Sequence, residues 1–395
     1  MKKEIKNQVD KIFKEVLKFR RHLHMYPELS FQEKETGKYI QEILKSHGIK
    51  FTKGWAGNGI VAKIGKQGNK QIALRADMDA LPILETNKVA YKSKHKGVMH
   101  ACGHDVHTAS LLGAGIVLKA IEKDLKGEVA LVFQPGEEKL PGGASIMIKE
   151  GLLKKNKFSS FFGQHVHPPL AVGKVGFRSG TYMASADEIF ISVKGRGGHA
   201  ALPHKCIDTI YIAAKLIEAM QSIVSRNANP HDPSVLTFGK INSIGGATNV
   251  IPDVVEIQGT FRAMNEKWRK EVHRLIRTIA LNTAKAFGGT ARVEIKVGYP
   301  CLENNAVLTE RAKQNAIEYL GKRQVVDLPK RMTAEDFSFY SHKVPSCFYR
   351  LGTGNKRKGI VSPVHTSTFN IDEEALRIGA GLMAYNAFQE LGVSS

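Results

Sequence analysis

Hydrophobic and polar positions alternate with two different periods along this chain, and the period changes mark its elements. Ile5, Val9, Ile12, Phe13, Val16 and Leu17 recur at helical spacing, which predicts an amphipathic N-terminal helix. That pattern lacks the solid apolar centre of a signal peptide. Residues 71–76 form a short buried-strand pattern that ends in Asp77-Met78-Asp79. Ala109, Leu111, Leu112, Ile116 and Val117 predict a helix. Residues 129–134 predict a strand ending in Pro135-Gly136-Glu137-Glu138, and residues 160–164 predict another that ends at His165. Strands alternating with helices imply a largely parallel sheet.

From about residue 187 the rhythm differs. Strands are expected over 188–193, 235–244, 254–261 and 291–297, with helices over 207–224 and 268–287. The order β-α-β-β-α-β is that of a ferredoxin-like sandwich. The expected architecture is therefore α/β, a mixed and largely parallel sheet flanked by helices, with a ferredoxin-like domain inserted. The first domain is expected over 1–184 and 298–395, and the insert over 185–297.

Composition narrows the classes. The chain has 395 residues, 42% hydrophobic and 24% charged, as in ordinary globular proteins. No apolar run is long enough to span a bilayer, and a cytoplasmic location is expected. Four cysteines are too few for a disulfide scaffold. The net charge is +21, from 58 Lys plus Arg against 37 Asp plus Glu. The basic residues are spread along the chain without a nucleic-acid motif, so no nucleic-acid partner is expected. A positive field suits small anionic substrates.

The densest chemistry lies in Met99-His100-Ala101-Cys102-Gly103-His104-Asp105-Val106-His107. A thiol, three imidazoles and a carboxylate fall within nine residues. Thiolate plus imidazole favours zinc and its neighbours over magnesium or calcium. Asp77, Asp79, Glu137, Glu138 and His165 stand where three apolar strands end, the edge at which open α/β sheets bind ligands. In Glu137-Glu138, one carboxylate can hold a metal while the other handles the proton of a substrate water. His165 and His167 share a face of an extended segment, and the strand-end position favours His165 as a ligand. His365 sits in a loop near the C-terminus. In the insert, a Gly-rich loop presents His199 without matching a phosphate loop. Asn249 and Arg262 offer an amide and a guanidinium suited to a carboxylate.

These motifs, in this order, resemble the M20 metallopeptidase family in its amidohydrolase branch. Arg21 to Leu29, Arg75 to Pro82, the 99–107 cluster, Gln134 to Glu138, Gly195 to His199, Thr248 to Pro252 and Thr333 to Phe337 carry the resemblance. It implies a metal-dependent amidohydrolase acting on linear amides, the bonds of N-acyl amino acids. Two divalent metal ions (zinc, manganese, cobalt or nickel) are implied, with Cys102, His104, Glu138, His165 and His365 as ligands. Glu137 is implied as general base, and His199 as an oxyanion-stabilising residue delivered to a partner subunit's site. Asn249 and Arg262 match positions that bind the substrate carboxylate, and the insert becomes a lid that forms a homodimer. Other branches have His-x-Asp where this chain has Asp77-x-Asp79, so both acids are read as orienting groups, Asp79 as part of the catalytic set. A dipeptidase, a carboxypeptidase or an N-acetyl-diaminopimelate deacetylase is the rival activity. A non-enzymatic metal or conjugate carrier is disfavoured by the complete ligand set.

Overall fold

A computed structural model describes residues 1–66 and 70–393, so the last two residues of the expected 298–395 segment lie outside it. The chain divides into two compact units. The first comprises Met1–Gly180, Glu303–Pro329 and Asp336–Ser395; the second comprises Thr181–Leu302 and Lys330–Glu335.

The first unit is built on an eight-stranded mixed sheet. Its centre is parallel: Glu128–Gln134, Gln71–Asp77, Phe158–Ala171 and Ser346–Gly354 lie side by side. Gly59–Gly65 adds on antiparallel to Glu128–Gln134, and the edge strand Lys50–Trp55 pairs antiparallel with Gly59–Gly65. Every residue of Glu128–Gln134 is buried, which explains its unbroken apolar pattern. Neighbours within a strand face opposite layers. Phe162 joins the core under the helices Lys2–Met25, His104–Ala120 and Ala375–Gly392. Phe161 stacks at 4.4 Å on Tyr340 instead. The N-terminal helix buries Ile5, Val9, Val16, Phe19 and Leu23, one stripe at the spacing the sequence shows.

One expectation needs correction. The strand bearing His165 does not end there but runs from Phe158 to Ala171. Pro168 and Pro169 lack N–H donors and so read as a stop. The ladder with Ser346–Gly354 instead shifts register between Gly352 and Gly354, and the strand continues.

The second unit is a four-stranded antiparallel sheet in the order Ser234–Ile244, Val254–Ala263, Asp187–Lys194, Thr290–Val297. Helices Thr209–Ser222 and Glu266–Ala286 pack on it through Ile212, Leu216, Met220, Val272 and Ile276. Strand order and connections are those of a ferredoxin-like sandwich. Asp187 anchors this unit. Its carboxylate accepts from Arg269 Nε at 2.9 Å and Nη2 at 2.5 Å, His273 Nε2 at 2.7 Å and Gly298 N–H at 3.1 Å. Burial opposes ionisation, but these donors hold the Asp187 carboxyl down at about 2.

Asp187→Ala leaves the buried Arg269 guanidinium with Glu266 as its remaining acidic partner, and urea unfolding is expected to show a loss of about 3 kcal/mol. The carboxyl is depressed in the folded state, so its contribution is full above an unfolded pKa of about 3.9 and disappears as pH falls toward 2. A variant that unfolds within about 0.5 kcal/mol of wild type would contradict this anchor.

Candidate active site

The strands Gln71–Asp77 and Glu128–Gln134 run parallel, so Asp77 and the Pro135–Glu138 turn emerge at the same sheet edge. Helix His104–Ala120 starts there too. Gly103 precedes it with a left-handed φ of 82°. A Cβ at Gly103 would lie 2.6 Å from Val166 Cγ2, so only glycine joins Cys102 to His104 this closely against the His165 strand. The His365 backbone N–H donates to Ala101 O at 2.8 Å, which ties the late loop beside Cys102.

Several groups of candidate ligands result, and two of them overlap at Cys102. Cys102, His104 and His165 form one, and Cys102, Glu138 and His365 form the other. Within each, the candidate ligand atoms lie within 4.8 Å of one another. Cys102 Sγ is 3.4 Å from His165 Nε2. Glu138 Oε1 is 3.1 Å from His365 Nε2 and 3.9 Å from His104 Nε2. His104, His107 and Asp79 are fully buried, while the His365 side chain is 52% exposed at the mouth.

Hydrogen bonds decide which atoms face the centre. Asp79 Oδ1 holds His104 Nδ1 at 3.1 Å. Asp79 Oδ2 accepts from Ser30 Oγ at 2.6 Å and from Glu138 N–H at 2.9 Å. One carboxylate thus orients a histidine and a glutamate. His165 Nδ1 donates to Val166 O at 2.8 Å, which leaves Nε2 facing Cys102. His104 Nε2 and Glu138 Oε1 are buried without a hydrogen bond. Glu138 Oε1 and His365 Nε2 are close yet misaligned for one, as two donors converging on a shared cation are. These orphaned atoms, with a thiol and imidazoles, fit a pair of borderline divalent cations.

His107, in the same sequence cluster, has no such atom. Its Nδ1 lies 2.6 Å from Asp77 Oδ1, and its Nε2 accepts from Val166 N–H at 2.9 Å. It braces Asp77 against the His165 strand. Arg75 extends the frame, reaching Asp77 at 2.7 Å, Gln134 at 3.0 Å and Asp336 at 2.7 Å. Both carboxylate oxygens of Asp336 also accept from Gln134 Nε2, Oδ2 accepts from the Ala144 N–H, and the Asp336 N–H points to Glu137 Oε1 at 3.4 Å. Sequence reasoning did not find this role for Arg75, Gln134, Asp336 or His107. A buried Arg in an apolar strand was the available signal.

The electrostatics match. Burial, then Glu138, Glu137 and Asp77, push the Cys102 thiol well up. Burial would lower His104, but Asp77, Asp79 and Glu138 outweigh it and raise it to about 10. Burial and then Arg350 push His165 well down. An acid-rich pocket that retains protons on a thiol and an imidazole is one where divalent cations displace those protons.

His199, Asn249 and Arg262 all lie in the second unit. His199 is exposed, in a two-residue ladder with Val250, and Ala200 N–H donates to Asn249 O at 3.0 Å. His199 and Asn249 are therefore neighbours. Arg262 lines a separate cavity of about 510 Å³ with Val235, Thr260, Arg331, Met332 and Thr333. Burial lowers its guanidinium pKa, and its Nη1 donates to Met332 O at 3.4 Å.

A parallel sheet edge that gathers a thiol, imidazoles and carboxylates with open donor atoms defines a metal-centred hydrolase. The sequence matches Peptidase family M20/M25/M40 across residues 73–388, and the chain belongs to that family, in its amidohydrolase branch. It is 42% identical to the N-acetyl-L-cysteine deacetylase of Bacillus subtilis (strain 168) over 380 residues, covering 96% of this chain and 88% of that protein. It is 41% identical to the N-acyl-L-amino acid amidohydrolase of Geobacillus stearothermophilus over 299 residues, 75% of this chain and 80% of that one. Among solved structures, the Bacillus subtilis YXEP protein, described as a dinuclear metal binding peptidase from M20 family, superposes with a TM-score of 0.85. It is 34% identical, over 98% of this chain and all of that one.

If Asp79 orients both His104 and Glu138, Asp79→Asn lowers divalent affinity about 10–100-fold. Competition with a chromophoric chelator measures this. Unchanged affinity would remove Asp79 from the account.

Proposed function

We propose that this enzyme hydrolyses the amide bond of N-acyl amino acids, with Cys102, His104, Glu138, His165 and His365 holding two divalent cations and Glu137 as general base. The observation that carries this reading is the pairing of two adjacent carboxylates with different surroundings. Glu138 Oε1 meets His365 and His104. Glu137 is buried, and its ligand atom lies within 4.8 Å of those of His104 and Glu138. The names of the deacetylase and amidohydrolase relatives support the substrate class.

Bound cations would polarise the acyl carbonyl and lower the pKa of water. Glu137 takes the proton as the water oxygen attacks the carbonyl carbon. The C–N bond then breaks, and Glu137 returns the proton to the departing amine, giving a carboxylic acid and a free amino acid. Asp79 and Asp336 hold this pair in register, Asp79 through Glu138 N–H and Asp336 through Glu137 Oε1. His199 stabilises the oxyanion, a contribution of roughly 3–4 kcal/mol per well-placed donor. Asn249 and Arg262 receive the free carboxylate; the half-buried guanidinium of Arg262 suits that task. The second unit acts as a lid and pairs two copies into a homodimer. The edge strand Ser234–Ile244 supports this, with Val235, Ile241 and Ile244 exposed on it. Among the described residues no helix is long and apolar enough to cross a membrane. A thiol ligand works best in a reducing compartment, which supports action in the cytoplasm.

A second reading has a specific basis. Thermostable carboxypeptidase 2 of Saccharolobus solfataricus is 38% identical over 95% of both chains. Peptide hydrolysis uses the same site with an aminoacyl group in place of the acyl group.

A panel of N-acetyl, N-benzoyl and dipeptide substrates separates the two. Faster turnover of dipeptides than of any N-acyl amino acid would favour the peptidase. Glu137→Gln is expected to keep its metal content and lose at least about 100-fold in kcat. Glu138→Gln is expected to lose metal. Full activity in Glu137→Gln would exclude Glu137 as the base.

A further inference from the structure

We propose that His24 is a positioning residue for His104, acting through Asp105 as a clamp on the first turn of the His104–Ala120 helix. The inference rests on the reading of His104 as a metal ligand. His24 belongs to the N-terminal helix and is 1% exposed. Its Nδ1 lies 2.8 Å from Asp105 Oδ2 and its Nε2 lies 3.2 Å from Glu85 Oε1. Carboxylates accept at both ends, so the ring donates from both nitrogens and carries a positive charge. Burial and Arg20 oppose that charge, but Asp105 and Glu85 outweigh them and raise the His24 pKa.

Arg20 also lies against the ring, its Nη2 3.5 Å from His24 Nδ1. Arg20 Nε donates to the same Asp105 oxygen at 2.9 Å, and its other nitrogens reach Glu373 at 3.3 Å and Asn370 at 3.2 Å. Glu85 also accepts from Ser93 N–H at 2.7 Å and Asn87 Nδ2 at 3.0 Å. Tyr91 stands edge-on to His24 at 5.7 Å and beneath Arg20 at 4.6 Å. His100 is buried nearby and kept neutral, pushed by burial down to about 4. Two cations thus face two fully buried acids and the partly buried Glu373.

Stability alone is a weak reason for this arrangement. Apolar side chains of similar volume often stabilise a core as well as a buried ion network does. Its position supplies a better one. Asp105 follows His104 directly, so the two side chains move with one turn of backbone. No side chain caps that helix, because its N-cap is Gly103. The clamp holds the same first turn that carries His104. The N-terminal helix reaches Asp105 directly through Arg20 and His24, and these two residues link it onward to Asn370 and to Glu85 of the 85–93 loop. A loosened turn would displace His104 Nε2, and displacements near 1 Å are costly at such centres.

The test uses the whole protein with Co²⁺ as probe. Chelator competition gives affinity, the visible Co²⁺ spectrum reports ligand geometry, and thermal melting of the metal-free protein reports stability. His24→Gln and Asp105→Asn are each expected to weaken Co²⁺ binding about 10–100-fold and to change the spectrum. The double variant is expected to be no weaker than the worse single one, since both act along one path. His24→Asn serves if His24→Gln does not fold. Unchanged affinity and spectrum with a lowered melting temperature would reduce His24 to a structural role and overturn the proposal. Wild type that binds no Co²⁺ would overturn the metal-site reading as well.

Discussion

The site depends on one constraint: a buried polar group needs a partner, and on His104, Glu138 and His165 the protein supplies one on the side away from their shared centre. Asp79 satisfies Nδ1 of His104 and the N–H of Glu138. Val166 O satisfies Nδ1 of His165. Each bond fixes a tautomer or a rotamer, and each leaves the opposite atom exposed to its neighbours. The orphaned His104 Nε2 and Glu138 Oε1 are the product of this arrangement. Without Asp79, no hydrogen bond would distinguish Nδ1 from Nε2 of the His104 ring.

The sheet makes such a carboxylate possible. Its parallel centre brings Asp77 and the Pro135–Glu138 turn to one edge, while the helices behind it supply apolar burial. Charges placed there are poorly solvated, so each needs a nearby opposite charge or donor. Arg75 provides that for Asp77 and Asp336, and Arg20 for Asp105. Acids alone would leave the edge over-negative, and these arginines offset part of that charge.

Much of this was legible in the chain. The strands over 71–77 and 128–134, the helix from His104 and the alternation in the second unit follow from local periodicity, which needs no tertiary knowledge. The continuation of the His165 strand past two prolines did not follow, because it depends on how the partner strand resumes pairing, Gly352 with His167 and then Gly354 with Ala171. Nor did the antiparallel edge formed by 50–65, since strand pairing is a non-local choice. Within the 99–107 cluster, composition cannot separate three identical imidazoles. His104 faces the centre, His107 braces Asp77, and His100 is buried and neutral. Those differences arise from residues 25 to 60 positions away, Asp79, Asp77 and Val166 among them. His365 carries no local signal; its loop is placed by distant partners, a backbone hydrogen bond to Ala101 O and another from Thr86 N–H to Ser367 O.

The central claim is that a thiolate and imidazoles from these segments share two cations. X-ray absorption spectroscopy of the metal-loaded enzyme tests it most directly. The account predicts a metal–sulfur path near 2.3 Å, as for zinc, and a second metal roughly 3.5–4 Å away. A spectrum with only nitrogen and oxygen neighbours and no second metal would contradict it.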